Sequence, residues 1–196
     1  WRRPVDSARV VLGTPRWLAV GFSLGVVELI NRGEEADLLA HLGPDLLGED
    51  WDLDQALRNL LREPQRSVGE ALLDQRNLAG ISNMYRAEAL FVCGVHPYTA
   101  VGDVPDLARV VLRAQMMLAA NKERPAQTTT GDMRPGHRHW VFDRAGQPCR
   151  RCERPVQREM LGEAGRERIA YFCAHCQPLL GHTDGSATPA KQAGGN

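Results

Sequence analysis

No apolar run in this 196-residue chain approaches the roughly 18 to 20 residues that a membrane-spanning helix requires. The opening residues WRRPVDSARV also lack the continuous apolar core of a secretory signal. Net charge is missing as well, since 24 Lys and Arg balance 24 Asp and Glu. A uniformly basic coat for nucleic acid is thereby excluded. Compositional bias is absent: 43% apolar and 24% charged content excludes a disordered polymer and suffices for a real core in one or two domains. The chain has no initiator Met and starts at Trp1, so processing or an unseen N-terminal part is expected. A cytoplasmic protein without membrane attachment is the resulting expectation.

What is present is unevenly placed. From Glu28 to Asp54 nine acidic residues face one basic residue, Arg32. From Arg134 to Arg168 nine arginines face five acids. A solvated surface is the plainer reading of such a run, but the guanidinium fork is also the group that best pairs with phosphate.

Four of the five cysteines form two CxxC pairs, Cys149 with Cys152 and Cys173 with Cys176, twenty residues apart. Each CxxC sets two thiolates on one turn, the bite of a tetrahedral metal, and two such turns on a hairpin close a four-sulfur site. Two disulfides or a redox pair are the alternatives. Nothing marks a secreted chain or a thioredoxin-like strand and helix, so one structural zinc ion is expected. Cys93 stands alone among apolar residues and reads as a buried core thiol.

The fold class expected is α+β. The first thirty residues are rich in β-branched side chains and read as two or three strands, the end of a larger sheet. The segment EEADLLAHL is a short helix before Gly43-Pro44, and WDLDQALRNLLRE is a second, stopped by Pro64. Ser67 and Glu70 have the spacing of a capping box, with Val68, Ala71 and Leu72 facing a core. Leu107, Val110, Val111, Ala114, Met117 and Leu118 form a three-turn apolar stripe. Lys122 to His139 reads as a long mobile loop. Trp140 to Phe142 and Ile169 to Phe172 read as the short strands carrying the cysteine pairs. The expected divisions are residues 1–31, 32–121, 122–139, 140–177 and a disordered tail over 178–196.

One stretch, LLDQRNLAGISNMYRAEALF from Leu72 to Phe91, has helical flanks and a broken middle. Ser82-Asn83 then marks a helix N-terminus, where unpaired amides and the helix dipole favour an anion such as phosphate. A mere cap, worth about 1 kcal/mol, is the other reading.

HLGPDLL (His41 to Leu47), the stretch just quoted and the ending GQPCRRC…RERIAYFCAHCQ together resemble the formamidopyrimidine-DNA glycosylase and endonuclease VIII family of base-excision repair enzymes. The likeness runs from about Val10 to Gln177 and is greatest to the endonuclease VIII-like actinobacterial branch. It implies a helix-two-turn-helix domain with a zinc-finger hairpin, DNA glycosylase and AP lyase activity on oxidised bases, and damaged double-stranded DNA bound by a monomer. It also implies a bacterial protein associated with the nucleoid when on DNA. By resemblance Asn83 binds a phosphate beside the lesion. Arg168, five residues before the third cysteine, clamps neighbouring phosphates and serves the second elimination step.

The family's N-terminal proline nucleophile, the following Glu and a sandwich Lys have no match here, since Pro4 is internal. About 80 to 100 residues are expected to be missing, judged by the size of a self-sufficient domain. Ser82 stands where the family usually has Gly, which narrows the approach to phosphate. His41 and Arg66 are further candidate DNA contacts; a solvated surface Arg is the simpler account of Arg66. The loop over residues 122–139 would lie near the extruded base. The alternative function is a non-catalytic zinc-containing DNA-binding module from a natural truncation, and a weaker one is a zinc ribbon that binds a protein.

Overall fold

The structure is a computed structural model that describes residues 3–179. The tail expected to be disordered lies, from residue 180 onward, outside the described residues. Two compact units divide the chain, residues 1–41 and residues 42 onward. Among the described residues no helix is long and apolar enough to cross a membrane.

In the first unit β1 (Ala8–Gly13) pairs antiparallel with β2 (Leu18–Phe22), with a register shift between Ala8 and Val10. Thr14 closes the turn by accepting the Trp17 amide on its hydroxyl at 2.9 Å. Glu34 receives the Asn31 amide at 3.1 Å, a box that starts a 3-10 turn running into α1 (Glu35–Leu39). His41 follows, exposed, with Nδ1 2.8 Å from the Leu38 carbonyl.

The second unit is built on α2 (Leu53–Leu60), α3 (Val68–Ala71), α4 (Asn83–Cys93) and α5 (Leu107–Asn121), followed by the antiparallel pair β3 (Gln157–Leu161) and β4 (Arg168–Phe172). Asp52 and Asp106 cap α2 and α5 by accepting the amides of Gln55 and Arg109 at 2.9 and 2.8 Å. Each such cap contributes about 1 kcal/mol. Leu60, Leu72, Leu78 and Leu90 are buried to 1% exposure or less, each stabilising by roughly 1.5–3 kcal/mol. The α5 stripe read from the sequence packs on α4, with Met117 only partly covered. Helix α4 stops where Gly94 takes φ 74°, the left-handed conformation that suits glycine at a helix end.

Gly69 is required at the start of α3 for a different reason. A Cβ there would lie 2.8 Å from the Pro97 carbonyl oxygen and 2.5 Å from Leu161 Cδ2. The helix is pressed against the end of β3, which seats the hairpin on the helical core.

Three expectations need correction. Trp140 to Phe142 is not a strand; the hairpin strands are β3 and β4, and the amides of residues 140–142 are consumed by a buried carboxylate described below. Cys93 is half-buried, its thiol directed at the Arg109 carbonyl at 3.9 Å, and burial pushes that thiol's pKa up. The Ser67 hydroxyl accepts the Glu70 amide at 3.4 Å, as a box requires, but it is paired with the Glu70 carboxylate itself. Lys122 to His139 holds no helix or strand, yet Asn121 grips Thr128 through two hydrogen bonds of 2.9 Å, and Thr128 is buried.

Candidate nucleic-acid interface

The broken middle between α3 and α4 is two successive turns, and Gln75 is the side chain that holds them. Its Nε2 donates to the carbonyls of Leu73 and Ile81 at 3.1 and 3.3 Å, and its Oε1 accepts the Gly80 amide at 2.9 Å. Gly80 adopts φ 94°, a conformation that L side chains rarely enter. Its amide is therefore already used and is not offered to a ligand. Gly43 runs so close beneath that a Cβ would lie 2.6 Å from the Asn77 carbonyl oxygen, which accounts for the glycine in HLGPD.

Helix α4 emerges from these turns with its first intrahelical bond donated by Arg86 to the Ser82 carbonyl at 3.0 Å. Ser82 has extended backbone and its side chain makes no cap bond, although it is exposed. The amides preceding Arg86 thus open the helix with the partial positive charge that attracts anions.

Asn83 sits at that end and points across to β4. Its Nδ2 donates to the Ile169 carbonyl at 3.0 Å, using one of two protons, while Oδ1 is buried without a partner. Arg86 donates to the same carbonyl from Nη2 at 2.9 Å and to Gly69 O from Nη1 at 3.2 Å. It is 1% exposed, and burial drives its pKa down to about 10. One carbonyl, next in sequence to Arg168, is thereby held by two side chains of α4.

Arg168 opens β4, exposed, with Nη1 donating to the Glu167 carbonyl at 3.0 Å. Arg66, Ser82, Asn83, Arg86 and Arg168 all border one cleft of roughly 1070 Å³. Arg66 is not free: it pairs with Asp74 at 2.8 Å and Glu63 at 3.2 Å. Arg76 pairs with the same Asp74 at 2.6 Å, and its hydrogen bonds, with those of Arg66, hold that carboxyl well below the usual carboxylate range against the opposing effect of burial. His41 belongs to the other compact unit and is not among the residues of this cleft.

Replacing Arg86 by Met should separate stability from placement. The change removes a buried, unpaired charge, so the unfolding midpoint should move by only a few degrees. Duplex affinity should fall about tenfold as β4 loses one of its two side-chain ties to α4, a loss near 1.4 kcal/mol. Thermal melts and titration with a labelled duplex check both.

The four cysteine Sγ atoms of residues 149, 152, 173 and 176 lie within 4.8 Å of one another, with Cys152 to Cys173 at 3.5 Å and Cys149 to Cys176 at 3.8 Å. A disulfide requires about 2.05 Å. A tetrahedron with arms of about 2.3 Å has edges of about 3.8 Å, so the donor set fits a thiolate-bound divalent metal. Gln177, fully buried, fixes the second knuckle by accepting the Cys173 amide at 2.9 Å and donating to Val95 O at 2.7 Å. Arg151 lies 4.4 Å over the Phe91 ring and donates to the carbonyls of Phe91 and Val92, joining the first knuckle to the C-terminal end of α4.

Two residues that organise the site were not legible as such. Glu88, 0% exposed, accepts the amides of Trp140, Val141 and Phe142 at 2.8, 2.9 and 2.8 Å and the Thr129 hydroxyl. Arg86 lies on the same helix, within a segment where every residue from Met84 to Phe91 is buried. Their signal was two ionisable residues at i and i+2 inside an otherwise apolar helix, since two such neighbours point in different directions and cannot both face solvent.

Residues 42–122 match the family described as the formamidopyrimidine-DNA glycosylase H2TH domain. The chain is 45% identical over 194 residues to the probable endonuclease 8 2 of Streptomyces coelicolor, an alignment covering 98% of the chain and 66% of that protein. It is 47% identical over 169 residues to the DNA-(apurinic or apyrimidinic site) lyase Nei2 of Mycolicibacterium smegmatis, covering 86% and 66%. The crystal structure of the MutM (Fpg) protein of Thermus thermophilus superposes with a TM-score of 0.64 at 30% identity, covering 90% of the chain and 71% of that structure. The chain thus spans about two thirds of the length of these curated relatives.

Proposed function

We propose, from the premise that this chain belongs to the formamidopyrimidine-DNA glycosylase and endonuclease VIII family, that it is the DNA-gripping part of a base-excision-repair glycosylase and AP lyase acting on oxidised bases. Asn83 and the amides at the start of α4 take one backbone phosphate, and Arg168 takes its neighbour. Together they pin the strand on either side of a nucleotide turned out of the stack, a displacement that costs a few kcal/mol and needs such anchorage. In the lyase reaction Arg168 also steadies the departing phosphate in the second elimination.

The observation that carries this reading is the shared Ile169 carbonyl, which ties the strand of Arg168 to Asn83 at the N-terminus of α4. Zinc, held by Cys149, Cys152, Cys173 and Cys176, supplies rigidity and no reaction step, because four protein ligands leave no position for water. Arg66 borders the same cleft as a further candidate phosphate contact, held in the free protein by Asp74 and Glu63. The loop over residues 122–139, leaving Asn121 and returning at His139, faces the extruded base and biases lesion choice. His41 is the weakest of the proposed contacts, since its ring nitrogen is already engaged with Leu38.

The test is titration of an abasic duplex over a range of salt. Arg168→Ala should weaken binding about tenfold and flatten the slope of log K against log salt by about one. Asn83→Ala should weaken it without altering the slope, because no charge is lost. Unchanged affinity of the Arg168 variant at low salt would remove the clamp.

A further inference from the structure

Asp74 lies beneath two arginines. Its side chain is 10% exposed, against 26% for Arg66 and 71% for Arg76. The carboxylate receives Arg76 as a fork, Nε on Oδ1 at 2.9 Å and Nη2 on Oδ2 at 2.6 Å, and Arg66 Nη1 on Oδ2 at 2.8 Å. Two guanidinium groups converging on the two oxygens of one small anion is the arrangement by which arginines hold a phosphate. Arg76 Nη1 and Arg66 Nη2 have no hydrogen-bond partner among the described residues, so both groups retain unused donors. Both arginines border the cleft that holds Asn83 and Arg168. Glu63 and Glu163, from the helical part and the hairpin, add their charges to the field on Arg76.

We infer that Arg66 and Arg76 form an additional phosphate subsite of the cleft, and that Asp74 occupies it as a built-in substitute anion in the free protein. The inference rests on the proposed DNA grip and extends it. A backbone phosphate that enters here must exchange with the carboxylate or share the guanidinium groups with it. Paired internally, the two arginines neutralise little phosphate charge and so release few of the counterions condensed on the DNA, which leaves them adding little to affinity for any duplex. Asp74 therefore lowers the affinity for undamaged and damaged duplex alike, leaving the contacts of Asn83 and Arg168 to dominate.

Asp74→Asn keeps an oxygen for the Arg76 backbone amide, now bound to Oδ1 at 3.1 Å, and removes the charge. In fluorescence titrations of the full chain, this variant should bind an abasic duplex about three- to tenfold more tightly at low salt, with a slope in log salt steeper by about one. Arg76→Gln should cancel the gain in the Asp74→Asn background, since the guanidinium that the first change frees is the one that the second removes. Unfolding midpoint and zinc content verify the fold. Should the Asn variant not fold, Asp74→Ser, which also keeps an acceptor, carries the same expectation. A folded variant that binds no more tightly than the native chain overturns the subsite while leaving the grip in place. A native chain that fails to bind abasic duplex at low salt overturns the grip, and the subsite with it.

Discussion

Treating the chain with a strong chelator, to empty the four-cysteine cluster whose donor set fits a metal ion, is expected to abolish duplex binding, a loss of at least about a hundredfold, equivalent to roughly 2.7 kcal/mol. Structural zinc in small domains contributes on the order of 10–16 kcal/mol of apparent folding energy at neutral pH. Cys149 and Cys173 are buried and lie in one apolar cluster with Phe91, Val141, Val156 and Tyr171, so without an ion to gather them the four sulfurs take up protons and part, which opens the packing between α4 and the hairpin. Arg168 then loses its fixed place. The separate core formed by α2, α3, α4 and α5 contains none of these cysteines and should persist. Far-UV circular dichroism should therefore keep most of its helical signal while binding disappears, and added zinc should restore it. Cys173→Ser should reproduce the loss without chelator. Full binding by chain shown to be metal-free would contradict the role given to the cluster.

The largest loss of stability from a single substitution is expected at Glu88. Truncation to Ala strands the amides of Trp140, Val141 and Phe142 and the Thr129 hydroxyl in a site that water does not reach. At about 1–3 kcal/mol for each buried group left unpaired, partly relieved by relaxation, the net cost should be about 3–5 kcal/mol. Gln is nearly isosteric but presents an NH2 where the Trp140 amide already donates, so it should recover only part of the loss. Chemical denaturation gives both values. Because the segment that Glu88 holds runs from Thr129 to Phe142, hydrogen exchange should rise there before it rises in α5. A cost below about 1 kcal/mol for the Ala variant would mean that the carboxylate is dispensable.

Much of this was readable in the chain because it depends on local chemistry. The spacing of the cysteines, the apolar stripe of α5 and the start of α4 at Asn83 each follow from a few neighbouring residues, and the fold places them where that chemistry requires. What was not readable depends on partners distant in sequence. Trp140-Val141-Phe142 has the side chains of a strand, yet its amides find a carboxylate 52 to 54 residues away instead of a neighbouring strand. The arginine run shows the same limit: Arg144 donates to the carbonyls of Trp140 and Pro148, Arg150 to those of His139 and Gly136, and Arg151 to those of Phe91 and Val92. Composition read these as solvated charge or as charge available to phosphate, whereas three of the nine are spent on carbonyls of the hairpin, the preceding loop and α4. Arg66 likewise read as a surface residue or a contact, and the fold turns Asp74, eight residues on, back to claim it.

The most direct measurement is a cycle between Arg168 and one phosphate. Abasic duplexes are prepared with a neutral methylphosphonate at each linkage bordering the lesion in turn, and the native chain and Arg168→Ala are titrated against each. At one of these linkages the native chain should lose about tenfold in affinity, and Arg168→Ala, already weakened about tenfold, should lose nothing more. Independent losses that multiply to about a hundredfold at every linkage would show that Arg168 touches none of these phosphates, and the grip described here would be wrong.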